Sequence, residues 1–187
     1  MSNGKLFIIS GASGVGKSTV LAKVMAARPD LTFSVSATTR PPRPGEVEGE
    51  SYYFVSHAQF TAMIEADAFL EYDNHAKNSY GTPRAQLEEK LKTSHVILDI
   101  EPNGAFAVRK ARPDATLIFI MPPSMEELER RLRSRGDTSQ DQILLRLERA
   151  QWEINQRAQY DYTVINDQAD TCAEEICKII AEQADKE

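Results

Sequence analysis

The chain has 187 residues and carries 22 Lys+Arg against 28 Asp+Glu, a net charge of -6. That length suits one well-buried core rather than two, and the charge excludes a general binder of nucleic acid or membrane surfaces, which needs a positive field. Apolar runs such as Leu6 to Ile9 and Leu117 to Met121 are far shorter than a membrane span and the N-terminus has no signal-peptide pattern, so a cytoplasmic protein is expected.

The first run, KLFIIS (5–10), predicts a strand, and GASGVGKS (11–18) follows it directly and opens a helix to about Ala27. Gly11, Gly14 and Gly16 let backbone N–H groups and the helix N-terminus surround negative oxygens. Lys17 adds a mobile positive charge, and Ser18 a hydroxyl able to ligate a phosphate-bound Mg2+. A glycine-rich turn that only caps a helix is the bland alternative, but the strand–loop–helix context favours a nucleoside triphosphate site built from Gly11, Ala12, Ser13, Gly14, Val15, Gly16, Lys17, Ser18 and Thr19.

Next comes SVSATTRPPRPGEVEGESYYF (34–54), with Arg40 and Arg43 among prolines. Arginine forks bind phosphate bidentately, and a proline-stiffened loop has little ordering entropy left to lose, so the pair could grip the phosphate of a second nucleotide, with Tyr52 donating a hydroxyl. Pairing with Glu46, Glu48 and Glu50 as a solvated loop is an equal alternative on this segment alone. YYFVS, FLEYDNH and NSYGT then predict short strands around one helix (about 57–66), a small mixed lobe inserted in the core.

HVILDI (95–100), ATLIFIM (115–121) and YTVIN (162–166) return to buried parallel-strand character. Capping boxes are expected at Ser56 with Gln59, Ser124 with Glu127, Ser139 with Gln142, and Thr171 with Glu174. Pro102 suits the first turn of a helix. An arginine-rich stretch, 130–157, is interrupted by GDTSQ, the layout of a hinged lid. Its bland reading is a charged face with Glu127–Arg131, Arg149–Glu153 and Glu153–Arg157 pairs. Cys172 and Cys177 supply neither a disulfide nor a metal set.

From Leu6 to about Ile180 the chain resembles the guanylate kinases, on GASGVGKS, SATTRPPRPGEVEGESYYF, FLEYDNHAKNSYGT, ILDIEPNGAFAVR, RLRSRG, LLRLERAQ and DYTVIND. The resemblance implies an α/β P-loop NTPase fold in three layers. A central parallel sheet (core about 1–33, 83–125 and 159–187) would carry a GMP-binding lobe (about 34–82) and a helical lid (about 126–158). It implies transfer of the γ-phosphoryl group of ATP to GMP, and to dGMP, with Mg2+. Residues 11–19 would bind ATP, with Ser18 on the metal and Asn166 near the adenine.

By the same resemblance Ser36, Arg40, Arg43 and Tyr52 belong to the GMP site, with Glu71 reading guanine and Tyr80, Thr82 and Asp99 completing the pocket. The chemistry agrees, since a carboxylate can accept from both N1–H and N2–H2 of guanine and adenine offers no such donor pair. Lys17, Arg135 and Arg146 take catalysis, Arg131 a lesser part, and Arg130, Arg133 and Arg157 the surface. Where the family reads Asp-Ile-Asp, a residue, then Gln-Gly, this chain has DIEPNG, with Glu101 one methylene longer. Small-molecule substrates are expected, without nucleic acid or membrane, and a homodimer is admissible. A non-catalytic module is disfavoured by intact Lys17 and Ser18. A P-loop kinase for UMP, AMP or a ribose bisphosphate is disfavoured by Glu71 with Ser36, Thr82 and Asp99.

Overall fold

The computed structural model describes residues 4–75, 77–134 and 139–186. Five strands, β1 (Leu6–Gly11), β2 (Leu31–Phe33), β7 (His95–Asp99), β8 (Thr116–Met121) and β9 (Tyr162–Ile165), form a parallel sheet ordered β2-β7-β1-β8-β9. Phe7, Ile8, Ile9, Ile97, Leu117, Ile118 and Phe119 are fully buried. Helices cover both faces of a parallel sheet, so its strands read as continuous apolar runs without alternation.

Strand order explains where a ligand must go. From β1 the chain goes to the edge at β2 and returns inward at β7, then crosses to β8 and β9 on the other side of β1. The carboxyl end of β1 is therefore the switch point, where loops diverge and leave a crevice. Helix α1 (Lys17–Ala27) starts there and buries Val20, Leu21 and Val24 against the sheet.

The inserted lobe is a second sheet ordered β4-β3-β6-β5, from β3 (Ala37–Thr38), β4 (Tyr53–Phe54), β5 (Phe69–His75) and β6 (Asn78–Pro83). Strands β5 and β6 form an antiparallel pair, while β3 lies parallel to β4. Helix α2 (His57–Glu65) closes a small core of Ala37, Phe60 and Phe69, separate from the main one, with the two phenyl centroids 4.5 Å apart. Each ring contributes about 1.5–3 kcal/mol by leaving water, a modest total for a lobe that stands on its own contacts.

The remaining helices are α3 (Arg84–Leu91), α4 (Pro102–Ala111), α5 (Met125–Ser134), α6 (Gln140–Asn155) and α7 (Ala169–Ala184). Pro102 occupies the first turn of α4, as expected. Among the described residues no helix is long and apolar enough to cross a membrane.

Of the four expected capping boxes only that of Ser56 and Gln59 is reciprocal. Ser124 accepts the Glu127 N–H, but the Glu127 carboxylate is taken by Arg130 and Arg131, whose hydrogen bonds hold its pKa down at about 2. Ser139 accepts the Gln142 N–H at 3.4 Å. The box at Thr171 does not form, because α7 already starts at Ala169 and Thr171 lies inside its first turn. Strands β2 and β3, of three and two residues, carried no pattern long enough to be predicted.

Candidate active site

Two cavities open at the carboxyl edge of the parallel sheet and meet at Lys17 and Glu101, which line both. The first, about 390 Å³, is lined by the whole run Gly11–Thr19 together with Glu101, Arg146, Arg149 and Glu153. Gly14 and Gly16 adopt φ of 87° and 94°, open to glycine at little cost. A Cβ on Gly14 would lie 2.5 Å from Cδ2 of Leu132 on α5, so the loop packs directly against that helix.

Bonds within the loop are few and directed. Val15 N–H donates to Ala12 O at 2.9 Å and Ser13 N–H to Glu153 Oε2 at 2.7 Å. Among the described residues the N–H groups of Gly14, Gly16, Lys17 and Ser18 reach no protein acceptor, and α1 begins just behind them. Four free donors at a helix N-terminus suit a polyanion.

Asn166 is 4% exposed. Its Nδ2 donates to Val15 O at 2.8 Å, so it braces the loop from beneath. Arg131 belongs to the same support, donating to Asn166 O at 2.9 Å while Glu127 holds its Nε. Arg146 is exposed and reaches the first cavity. Arg135 lies outside the described residues. The expected Glu153–Arg157 pair is replaced: the Arg157 guanidinium donates to Ile154 O, and Glu153 faces the loop.

The second cavity, about 340 Å³, lies between the core and the inserted lobe. Ser36, Tyr52, Glu71, Tyr80 and Asp99 line it, joined by Asp73 and Gly104, which sequence reasoning had not singled out. Glu71 is 8% exposed on β5 and accepts from Thr82 Oγ1 at 2.6 Å. Burial pushes its pKa up, against the opposing hydrogen bond from Thr82. A Cβ on Gly104 would fall 2.9 Å from Glu71 Oε2, so the start of α4 must be bare to admit the carboxylate. Asp99, at the end of β7, forms an ion pair with Lys17 at the junction of the cavities.

Arg40 lies over Tyr52, its guanidinium 5.4 Å from the ring centroid and doubly bonded to Glu46 at 2.8 and 2.9 Å. Glu46 also accepts the Arg43 N–H at 2.7 Å, and Glu48 accepts the Phe54 N–H. The Glu46 pairing raises the Arg40 pKa still further, and the Arg40 bond, helped by the Arg43 N–H, lowers that of Glu46 to about 2. Arg43 is exposed. Thus the salt-bridged reading of this loop is realised at Arg40 and Glu46, and the same guanidinium lies over Tyr52, which lines the second cavity, without lining that cavity itself.

A family model described as guanylate kinase matches residues 3–183. The chain belongs to the guanylate kinase family. It is 52% identical over 165 residues to the guanylate kinase of Thermus thermophilus, covering 88% of this chain and 74% of that protein. It is 46% identical to that of Trichodesmium erythraeum, covering 96% and 97%. The solved guanylate kinase of Anaplasma phagocytophilum superposes with a TM-score of 0.79 at 34% identity, covering 99% of this chain and 88% of that one. Guanylate kinases are P-loop kinases, and the crevice at the switch point of the sheet is where such a fold takes its nucleotide.

Proposed function

We propose that this guanylate kinase transfers the γ-phosphoryl group of ATP to GMP, and to dGMP, giving ADP and GDP. The observation that supports this most directly is the meeting of two cavities at Lys17, one lined by free N–H groups, the other by a buried carboxylate beside Thr82. Phosphoryl transfer asks little covalent chemistry of a protein: it must align two polyanions and neutralise them.

Residues Gly11 to Thr19 hold the donor phosphates in this reading. Lys17 leaves Asp99 for the phosphate chain, and Arg146, with Arg135, neutralises the transferring group. Glu71 accepts from guanine N1–H and N2–H2, with Ser36, Tyr80, Thr82 and Asp99 around the base. Arg40, Arg43 and Tyr52 take the acceptor phosphate, Arg40 exchanging Glu46 for it. The Ser18 hydroxyl in the first cavity and the Asp99 carboxylate in the second, paired with Lys17 where the two meet, are hard oxygen donors of the kind Mg2+ prefers. They would hold Mg2+ directly or through water, and the ion when bound supplies charge neutralisation on the phosphates.

In this reading the labour divides among a core of about 1–33, 83–125 and 159–187, an acceptor lobe of about 34–82 and a lid of about 126–158. Water must be excluded, or ATP would be hydrolysed, which is the reason for closing both flanks over the junction. A homodimer is compatible with this reading. Such a nucleotide recycler belongs in the cytoplasm. The test is ADP release with ATP, Mg2+ and each nucleoside monophosphate in turn. GMP should be used far faster than AMP, UMP or CMP, and equal use of AMP or UMP would overturn the reading.

A further inference from the structure

Among the described residues two carboxylates are buried, Glu71 and Glu153. The first has a partner in guanine; the second has no part in the reaction so far. Glu153 is 3% exposed and sits on the face of α6 that buries Ile143, Ala150 and Ile154. An apolar side chain there would pack without the desolvation cost of a charge, so a carboxylate at this place needs a task.

Its contacts define one. Oε2 accepts the Ser13 N–H at 2.7 Å, across 140 positions of sequence, while Oε1 accepts from Arg149 Nε at 3.2 Å. Arg149 in turn pairs with Glu101, just before α4. A charge-assisted bond to a backbone N–H is among the stronger polar contacts. It fixes the peptide from which Gly14 turns, and the adjoining free N–H groups of Gly14 and Gly16 inherit that orientation. The longer side chain of Glu101 has a use in the same chain of contacts: it holds the far side of Arg149, which keeps Glu153 from turning toward the phosphates it would repel.

We propose that Glu153 is a positioning residue for donor binding: it clamps Ser13 so that the phosphate loop is set for ATP before ATP arrives, with Arg149 and Glu101 holding the clamp. This rests on the phosphate-loop reading above. A role in stability alone would lower the melting temperature and leave both KM values untouched.

The experiment is steady-state kinetics on full-length Glu153→Gln and Glu153→Ala, varying ATP and GMP separately, with thermal unfolding measured alongside. The amide oxygen of Gln still accepts from Ser13 but loses its hold on Arg149, and the KM for ATP should rise about threefold; Ala should raise it about tenfold or more. The KM for GMP should stay within about twofold of wild type in both. Equal changes in the two KM values, or no change in that for ATP, overturn the proposal. If the alanine variant does not fold, the glutamine variant decides by the same criterion. Lys17→Ala run in parallel separates the two levels: an active Lys17→Ala means the phosphate-loop reading has failed. An inactive Lys17→Ala beside a wild-type Glu153→Ala means that only the Glu153 inference has failed.

Discussion

The two loops that face the junction are held in opposite ways. The phosphate loop is braced by groups far away in the chain: Asn166 on Val15, Glu153 on Ser13 and Leu132 against Gly14. The acceptor loop is tied to Ser79 only at its base, through Thr39, and beyond that is held by its own neighbours: Arg40 and the Arg43 N–H on Glu46, Val47 on Ser51, and Phe54 on Glu48. Remote bracing fixes a loop before the ligand comes, whereas local pairing can be exchanged for the ligand when it arrives. On the proposed reading the donor site would thus be preformed and the acceptor site remade on binding, which would suit an enzyme that must not fire on water.

The comparison breaks first at Lys17. Lys17→Ala should lower kcat by roughly 10²–10³ or more, the scale for removing one charge from a transferring group. Its melting temperature should stay near wild type, because the side chain is paired at a cavity edge and lies outside the core. Activity near wild type would remove the donor half of the argument.

Glu71 comes next in size. Glu71→Gln turns a donor toward a guanine donor and should cost about 2–4 kcal/mol in kcat/KM for GMP. IMP, which lacks the 2-amino group, should be a poor substrate for wild type, and the variant should narrow the GMP-to-IMP ratio; an unchanged ratio would show that Glu71 does not read the base. Its pH behaviour has a definite sign. A carboxyl whose pKa is raised in the fold binds its proton more tightly there than in the unfolded chain, so the ionised group costs stability above that raised value. That cost disappears as pH falls below the unfolded pKa, and Glu71→Gln should be insensitive to it.

Arg43→Ala tests the acceptor loop directly. Loss of a charge-assisted contact of about 1.5–3 kcal/mol should raise the KM for GMP by roughly ten- to a hundredfold and leave the KM for ATP nearly unchanged. Equal effects on both substrates would count against separate clamps.

What could be read in advance follows the same division. Motifs whose meaning lies in consecutive residues were legible: the strand–loop–helix at 5–27, the cap at Ser56, Pro102 in the first turn of α4, and the lobe between 52 and 82. Contacts made by remote residues were not. The resemblance places Asn166 near adenine; the brace it also gives Val15 O is a contact that no local pattern could reveal across 151 positions. Glu153 left a trace, a charge on the buried stripe of Ile143, Ala150 and Ile154, but the salt-bridge spacing to Arg157 gave it a simpler meaning. The pairing of Thr171 with Glu174 failed for the opposite reason, since spacing alone does not say which residue starts the helix.

The smallest expected effect lies in Glu46, and it sharpens the contrast from the weak side. If Glu46 only stores Arg40 until a phosphate replaces it, Glu46→Gln should change the KM for GMP by no more than about threefold in either direction, since a pair still reached by solvent contributes little. Asn166→Ala, the matching change in the donor loop, should instead lose about 1–3 kcal/mol of stability, because it strands the buried Val15 carbonyl. Acid unfolding separates the two further. The Glu46 pKa is held at about 2, below its unfolded value of 4.5, so its contribution is fully present above the unfolded pKa and is lost as pH falls through the folded one. Wild type and Glu46→Gln should therefore differ most near neutral pH, with the difference closing between about pH 4.5 and 2, whereas Asn166→Ala should stay offset from wild type by the same amount across that window. A large, pH-independent loss in Glu46→Gln would mean that the acceptor loop is braced as firmly as the donor loop, and the two halves of the site would then be preformed alike.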